Sequence, residues 1–118
     1  MKKRVWALLD NRMGSVGQIR GITGIMNPDA YEIVEKQLVY NRWANLPNLL
    51  KGCSLLGLTK QSKTSISKDF PELVISASRR TATAALWIKK QSPQTKVIQL
   101  LHPDVSTANL KLFDRIFL

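Results

Sequence analysis

Short apolar runs alternate along this chain with segments of helical periodicity. The first run, Arg4–Leu9, has no alternation of apolar and polar residues, which is typical of a strand buried on both faces of a parallel sheet. Four later runs also have strand length. The predicted strands are 4–9, 32–40, 73–76, 96–101 and 113–118.

Three segments between these runs have apolar residues at helical spacing, at 15–26, 46–58 and 81–90. In the first, Ser15 is the predicted N-cap and Asn27–Pro28 the predicted stop. Its inward face is predicted to carry Val16, Ile19, Ile22, Thr23 and Met26. Its glycines, at 17, 21 and 24, each weaken a helix by roughly 1 kcal/mol. We expect them to let its backbone approach a strand closely. Segment 59–69 has few apolar residues and is predicted to be a surface loop.

This order of elements predicts an α/β fold with a mostly parallel sheet of about four or five strands and helices on both faces. The length of 118 residues favours a single domain, 1–118. The chain stops on the apolar run 115–118 with no closing helix. We interpret this as the first half of a larger α/β protein, the alternative being a complete domain with an edge strand at its end.

Charge and cysteine content narrow the function classes. A net charge of +10 suits an anionic partner, whether nucleic acid, an anionic membrane surface or a phosphorylated substrate. The basic residues are dispersed, however, and the aromatic residues (7%) are not interleaved with them, so solubility is the simpler explanation. A single cysteine, Cys53, excludes an internal disulfide and indicates a cytoplasmic protein. No apolar run reaches the roughly 20 residues of a membrane span, and the run after the basic start is too short for a signal peptide.

Ligands of open parallel sheets bind beyond the carboxyl ends of the strands. The first segment predicted there is 10–18, in which Gly14, Gly17 and Gln18 follow a strand and open a helix. Free amides and the helix dipole make such a turn a candidate anion site. The alternative is that the glycines serve a tight turn and close packing of helix and strand.

The second segment at the same edge is 76–81, where Arg79, Arg80 and Thr81 follow a strand. Two arginines beside small hydroxyl residues can hold a phosphate or carboxylate. Arginines oppose the dipole at a helix N-terminus, which favours an anionic partner over the alternative of a solvated first turn.

The only histidine, His102, follows another predicted strand. It is a candidate general acid or base, although a lone loop histidine is more often unspecialised. One cysteine and one histidine do not make a zinc site, so the sequence predicts no metal and no other cofactor.

Four stretches resemble, in order, the N-terminal part of the ELM family of mitochondrial fission proteins. Bacterial members are labelled as predicted nucleoside-diphosphate-sugar epimerases or as glycosyltransferases. The stretches are Val5–Gln18, Glu35–Pro47, Pro71–Arg80 and Lys96–Pro103, closing at Phe113–Asp114.

The resemblance implies a Rossmann-like domain, a three-layer sandwich that forms the N-terminal half of a two-domain, glycosyltransferase-B-like protein. It also implies a nucleotide-sugar or other anionic ligand in the cleft between the domains, with the nucleotide-sugar donor held largely by the C-terminal domain. Gly14, Gln18, Arg79 and Arg80 match the family's two turns. Ser78 stands where the family commonly has glycine.

The epimerase label can be checked against the residues. Short-chain epimerases pair a tyrosine with a lysine four places on, but Tyr31 is followed there by Glu35 and Tyr40 by Ala44. An acidic ribose-binding residue at the end of the second strand is also missing. We therefore expect an anion-binding, glycosyltransferase-like N-terminal domain that is inactive alone. The alternative is a non-enzymatic basic module for nucleic acid or membranes.

Overall fold

The computed structural model describes residues 2–9, 13–38, 66, 69–100 and 107–117. The predicted helix 46–58, most of the predicted loop 59–69 and His102 lie outside these residues. The secondary-structure elements of the protein, in chain order, are β1 (Lys3–Leu9), α1 (Met13–Thr23), β2 (Tyr31–Gln37), β3 (Leu73–Ser76), α2 (Arg79–Gln91), β4 (Lys96–Leu100), α3 (Thr107–Leu110) and β5 (Arg115–Phe117).

The strands form one parallel sheet of five in the order β2-β1-β3-β4-β5. The α/β prediction is therefore confirmed, and the fold is consistent with a Rossmann-like sandwich. From β1 the chain crosses to β2 on one side, whereas from β3 it crosses to β4 on the other. Right-handed crossovers in opposite directions place their helices on opposite faces of the sheet. The packing agrees, because α1 and α2 contribute to two separate apolar clusters.

Strand β1 is covered on both faces. Val5, Ala7 and Leu9 pack in the cluster that contains Ile19 of α1, whereas Trp6 and Leu8 pack in the cluster that contains α2. All five residues of this run are at most 3% exposed. The uninterrupted apolar run at the start of the sequence is thus explained by a central strand with no solvated side.

Helix α1 differs from its prediction at both ends. It begins at Met13, so Ser15 is the third residue of the helix and not its N-cap. It ends at Thr23, before the predicted stop, and the chain continues in tight turns, with the Gly24 amide donating to the Arg20 carbonyl at 2.9 Å. The predicted inward face is also wrong at Ile22, which is 39% exposed.

The remaining boundaries shift by smaller amounts. Strand β2 ends at Gln37, and residues 39 and 40 of the predicted strand lie outside the described part. Helix α2 begins two residues before the predicted start, at Arg79, because Ser78 caps it. The short helix α3 was not predicted. No helix in the described ranges has the length and apolar character to cross a membrane.

Asp114 joins the last two strands to α2. Its carboxylate accepts hydrogen bonds from the Val97 amide at 2.7 Å and from Lys89 Nζ at 3.1 Å. Its own amide donates to the Val97 carbonyl at 2.9 Å. Burial alone raises the pKa of Asp114, but the Val97 hydrogen bond and the bond and charge of Lys89 outweigh this and hold that pKa below its ordinary value.

We expect Asp114→Ala to lower the free energy of unfolding by about 2 kcal/mol at pH 7, because a buried amide and an ammonium lose a charged partner. A lowered pKa stabilises the fold above the carboxyl's unfolded-state pKa, and this contribution is lost as the pH falls through the folded-state pKa. Urea unfolding at pH 7 and at stepwise lower pH measures both effects. A variant as stable as the parent, with the same loss in acid, contradicts this role.

Candidate functional site

Strands β1 and β3 are neighbours at the point where the strand order reverses. Leu8 pairs with Ser76, so the carboxyl ends of both strands lie at the same edge of the sheet. The chain leaves β1 towards α1 on one face and leaves β3 towards α2 on the other. In open α/β sheets such a reversal creates the crevice in which ligands bind. The ends of the two strands from which the predicted turns start are therefore adjacent.

A reciprocal cap fixes the turn from β3 to α2. The Ser78 hydroxyl accepts a hydrogen bond from the Thr81 amide at 3.1 Å, and the Ser78 amide donates to Thr81 Oγ1 at 3.3 Å. This capping box satisfies amide donors that a helix start leaves without intrahelical partners. Serine at 78, where the resemblance favours glycine, thus has a structural reason.

Thr81 is held inside the turn. It is 1% exposed, and its hydroxyl lies 2.6 Å from the Ser76 hydroxyl and 3.1 Å from the Ser78 hydroxyl. The Thr81 hydroxyl therefore makes its hydrogen bonds within the protein. That Thr81 contacts a ligand stays a prediction, and the role visible in the structure is to shape the turn.

Arg79 and Arg80 are the first two residues of α2. The Thr81 amide bonds to the cap side chain, and the Ala82 amide bonds to the Ser78 carbonyl at 3.1 Å. The amides of Arg79 and Arg80 precede these in the first turn, where helix geometry offers no carbonyl acceptor. The backbone of both arginines therefore lies at the positive end of the helix dipole.

The residues predicted for the turn after β1 lie at different positions along α1. Gly14 is the second residue of the helix, whereas Gly17 and Gln18 lie in the second helical turn. Both of the latter are exposed. Residues 10–12, which link β1 to this helix, lie outside the described part of the chain.

Close packing does not explain two of the glycines in α1. A Cβ atom added at Gly17 or at Gly21 would meet nothing within 4 Å. The expectation that these glycines let the helix approach a strand is therefore wrong. Of the three glycines 17, 21 and 24, only Gly24, just after the helix, would bring a Cβ to 3.0 Å from a carbonyl oxygen, that of Arg20.

The described residues do not supply the groups of a short-chain epimerase. Tyr31 begins β2, at the amino edge of the sheet and away from the two turns. Glu35, the acidic residue nearest the end of β2, accepts two hydrogen bonds from Arg20, at 3.0 and 3.2 Å. That hydrogen-bonded carboxylate and its charge raise the pKa of Arg20. The pair joins α1 to β2 on the surface.

Sequence reasoning missed Gln99, a fully buried residue of β4. Its Nε2 donates to the Ser78 carbonyl at 3.3 Å, which brings a third strand to the turn of α2. An amide inside an apolar strand segment was the available signal. Within the described residues no cluster of histidine, cysteine, aspartate or glutamate could hold a metal ion.

The fold and the paired turns define a doubly wound parallel α/β domain with a candidate ligand crevice at its point of strand reversal. The chain belongs to the mitochondrial fission ELM1 family, whose model matches residues 13–118. It is 29% identical over 115 residues to an uncharacterised protein of Rickettsia prowazekii (strain Madrid E), covering 97% of this chain and 31% of that protein. The chain thus spans about a third of the length of this relative. No solved structure matches it significantly.

We expect Gly17→Ala and Gly21→Ala each to raise the free energy of unfolding by about 0.5–1 kcal/mol. Alanine favours the helix over the unfolded chain, and at both positions the structure offers open space. Urea unfolding of each variant beside the parent measures the change. Destabilisation of either variant would show that its glycine is required by the fold after all.

Proposed function

We propose that this chain is the N-terminal, anion-binding domain of a nucleotide-sugar-dependent, glycosyltransferase-like protein. In this proposal the diphosphate lies between the turn after β1 and the turn after β3. The observation that carries it is the pairing of Leu8 with Ser76, which brings two strand-to-helix turns together at the reversal of strand order. The nucleotide-sugar class comes from the family resemblance of the two turns.

The charge around the helix starts supports an anionic ligand. Neither α1 nor α2 has an acidic residue in its first turn. Acidic residues there ordinarily compensate the positive end of the dipole. At α2 two arginines stand in their place, so the positive potential of the amides is increased. A diphosphate would neutralise this charge and accept hydrogen bonds from the backbone.

Binding by this chain alone is expected to be weak and without turnover. A ligand held by one wall of a two-domain cleft stays largely solvated, and its charge contacts are screened. Catalysis needs reacting groups held together at short distance. The chain spans 31% of its Rickettsia relative, and in this proposal a C-terminal domain supplies the rest of the cleft.

We expect Arg79→Ala combined with Arg80→Ala to weaken binding of uridine diphosphate roughly tenfold or more, because charged hydrogen bonds are lost. The measurement is an NMR titration of the 118-residue chain. Lys90→Ala is the matched control, since Lys90 is an exposed cation in the last turn of the same helix. Lys89 is unsuitable because it pairs with Asp114 at 3.1 Å.

Equal losses in the arginine variant and in the Lys90 control would indicate general charge attraction and contradict the site. The salt dependence of binding distinguishes the alternative function from the proposed one. A module that binds nucleic acid or anionic membranes releases several counterions, so its affinity falls steeply with salt. Tight, strongly salt-dependent binding of RNA or anionic vesicles, without binding of uridine diphosphate, would favour that alternative.

The two glycines of α1 test the first turn in the same way. If the exposed backbone at Gly17 faces the ligand, Gly17→Ala weakens binding of uridine diphosphate severalfold, because the added methyl group intrudes on that contact. Gly21→Ala, one helical turn further from the edge, is the control and leaves the affinity unchanged. Equal affinities of both variants and the parent, in the same titration, would remove Gly17 from the site.

A further inference from the structure

Gln99 is a polar residue in a buried part of the sheet. Its side chain is 0% exposed, and Val97 and Leu100 of the same strand are buried with it. Strands of a parallel sheet covered on both faces are normally apolar, because an amide is costly to bury without hydrogen bonds. The hydrogen bonds of this amide should therefore explain why glutamine stands here.

The nitrogen of the amide is fully engaged. Nε2 donates to the Ser78 carbonyl at 3.3 Å and to the Leu100 carbonyl at 3.2 Å. Turning the amide over would place Oε1 against two carbonyl oxygens, and all of these atoms only accept hydrogen bonds. The two contacts therefore fix which atom is nitrogen and which is oxygen.

The oxygen has no hydrogen-bond donor. In the described part of the chain, Gln99 Oε1 is the buried side-chain atom left without a partner. The neighbouring hydroxyls of Ser76, Ser78 and Thr81 bond to one another. Buried acceptors without donors are rare in proteins, and each needs an explanation. A donor from outside the chain would complete this one.

The amide contacts the turn at which the proposed phosphate would bind. Gln99 is the register partner of Ser76 in β3, and its amide contacts the N-cap residue of α2. We infer that Gln99 Oε1 accepts a hydrogen bond from a hydroxyl group of the ligand whose phosphate lies at the first turn of this helix. This inference rests on the proposed function and assigns to Gln99 a contact with a hydroxyl group of the sugar, or of another polyol, that carries the phosphate.

The chemistry of the oxygen sets this selectivity. An uncharged acceptor attracts a hydroxyl and repels a second anionic oxygen, so it distinguishes the polyol part of a ligand from its phosphate. Because Oε1 is buried in this structure, a ligand hydroxyl can reach it only if the edge of the sheet beside the start of α2 opens on binding.

Two phosphate esters of equal ring size test the inference by NMR titration of the 118-residue chain. Glucose 1-phosphate carries ring hydroxyls, and cyclohexyl phosphate does not. Gln99→Met removes the hydrogen-bond acceptor while keeping a similar side-chain volume. We expect it to lower the affinity for glucose 1-phosphate, relative to the affinity for cyclohexyl phosphate, by about threefold to tenfold. Gln94→Met is the control, because Gln94 is exposed and lies with Lys3 and Tyr31 at the opposite edge. It leaves this ratio unchanged.

A second measurement needs no variant and decides the matter should Gln99→Met fail to fold. The side-chain NH₂ signals of Gln99 in the parent chain should shift with glucose 1-phosphate and not with cyclohexyl phosphate. If the Gln99 signals do not shift, or if Gln99→Met leaves the affinity ratio unchanged, the inference is wrong while the proposed function stands. If neither ester binds but uridine diphosphate does, the inference fails alone. If uridine diphosphate does not bind either, or if the arginine variant binds all three ligands as the parent does, the proposed function fails and the inference fails with it.

Discussion

Strand β1 has no polar side chain between Val5 and Leu9, so both of its faces must be covered. That single requirement organises the described part of the molecule. It divides the apolar residues into two clusters, one with α1 and one with α2, while β2 and β3 pair with the two edges of β1. With right-handed crossovers, the helices can only lie on opposite faces. The carboxyl ends of β1 and β3 are then neighbours whose chains diverge, which is the geometry of a ligand crevice.

The turn after β3 shows how the crevice edge is made rigid. Ser78 and Thr81 form a capping box, and the Ser76 hydroxyl at the end of β3 is hydrogen-bonded to the Thr81 hydroxyl. Gln99 of β4 donates a hydrogen bond to the same turn. These polar groups are buried or nearly so. They orient the start of α2, whose first two amides have no carbonyl acceptor within the helix. Preorganised donors of this kind bind anions with little reorganisation.

The sequence was informative wherever burial on both faces leaves an uninterrupted apolar run. Strand β3 was predicted at its observed bounds, 73–76, and β1 and β4 within one residue. Helix α1 was less predictable because its glycines carry no packing signal, and its start at Met13 is not marked by a capping residue within the described chain. Ile22 fits the helical spacing of the apolar residues yet is exposed. Periodicity indicates which side of a helix is apolar, but it does not show how far along the helix the sheet covers that side.

The candidate site followed from the sequence only in part. The adjacency of the two turns could be anticipated, since parallel strands end at the same edge. The buried role of the Thr81 hydroxyl and the third strand's contribution through Gln99 could not, because both depend on side chains that meet across register pairs. The ion pair of Lys89, in the last turn of α2, with Asp114 also joins residues far apart in the chain, so spacing along the sequence does not indicate it.

We propose one anion site between the two turns at the β1–β3 reversal. Its position can be mapped from the backbone amide shifts of the 118-residue chain during titration with uridine diphosphate. We expect the largest shifts at residues 13–18 and 78–82, with smaller ones elsewhere. Shifts concentrated instead at the amino edge of the sheet, around the cavity of about 310 Å³ lined by Lys3, Tyr31 and Lys96, would contradict it.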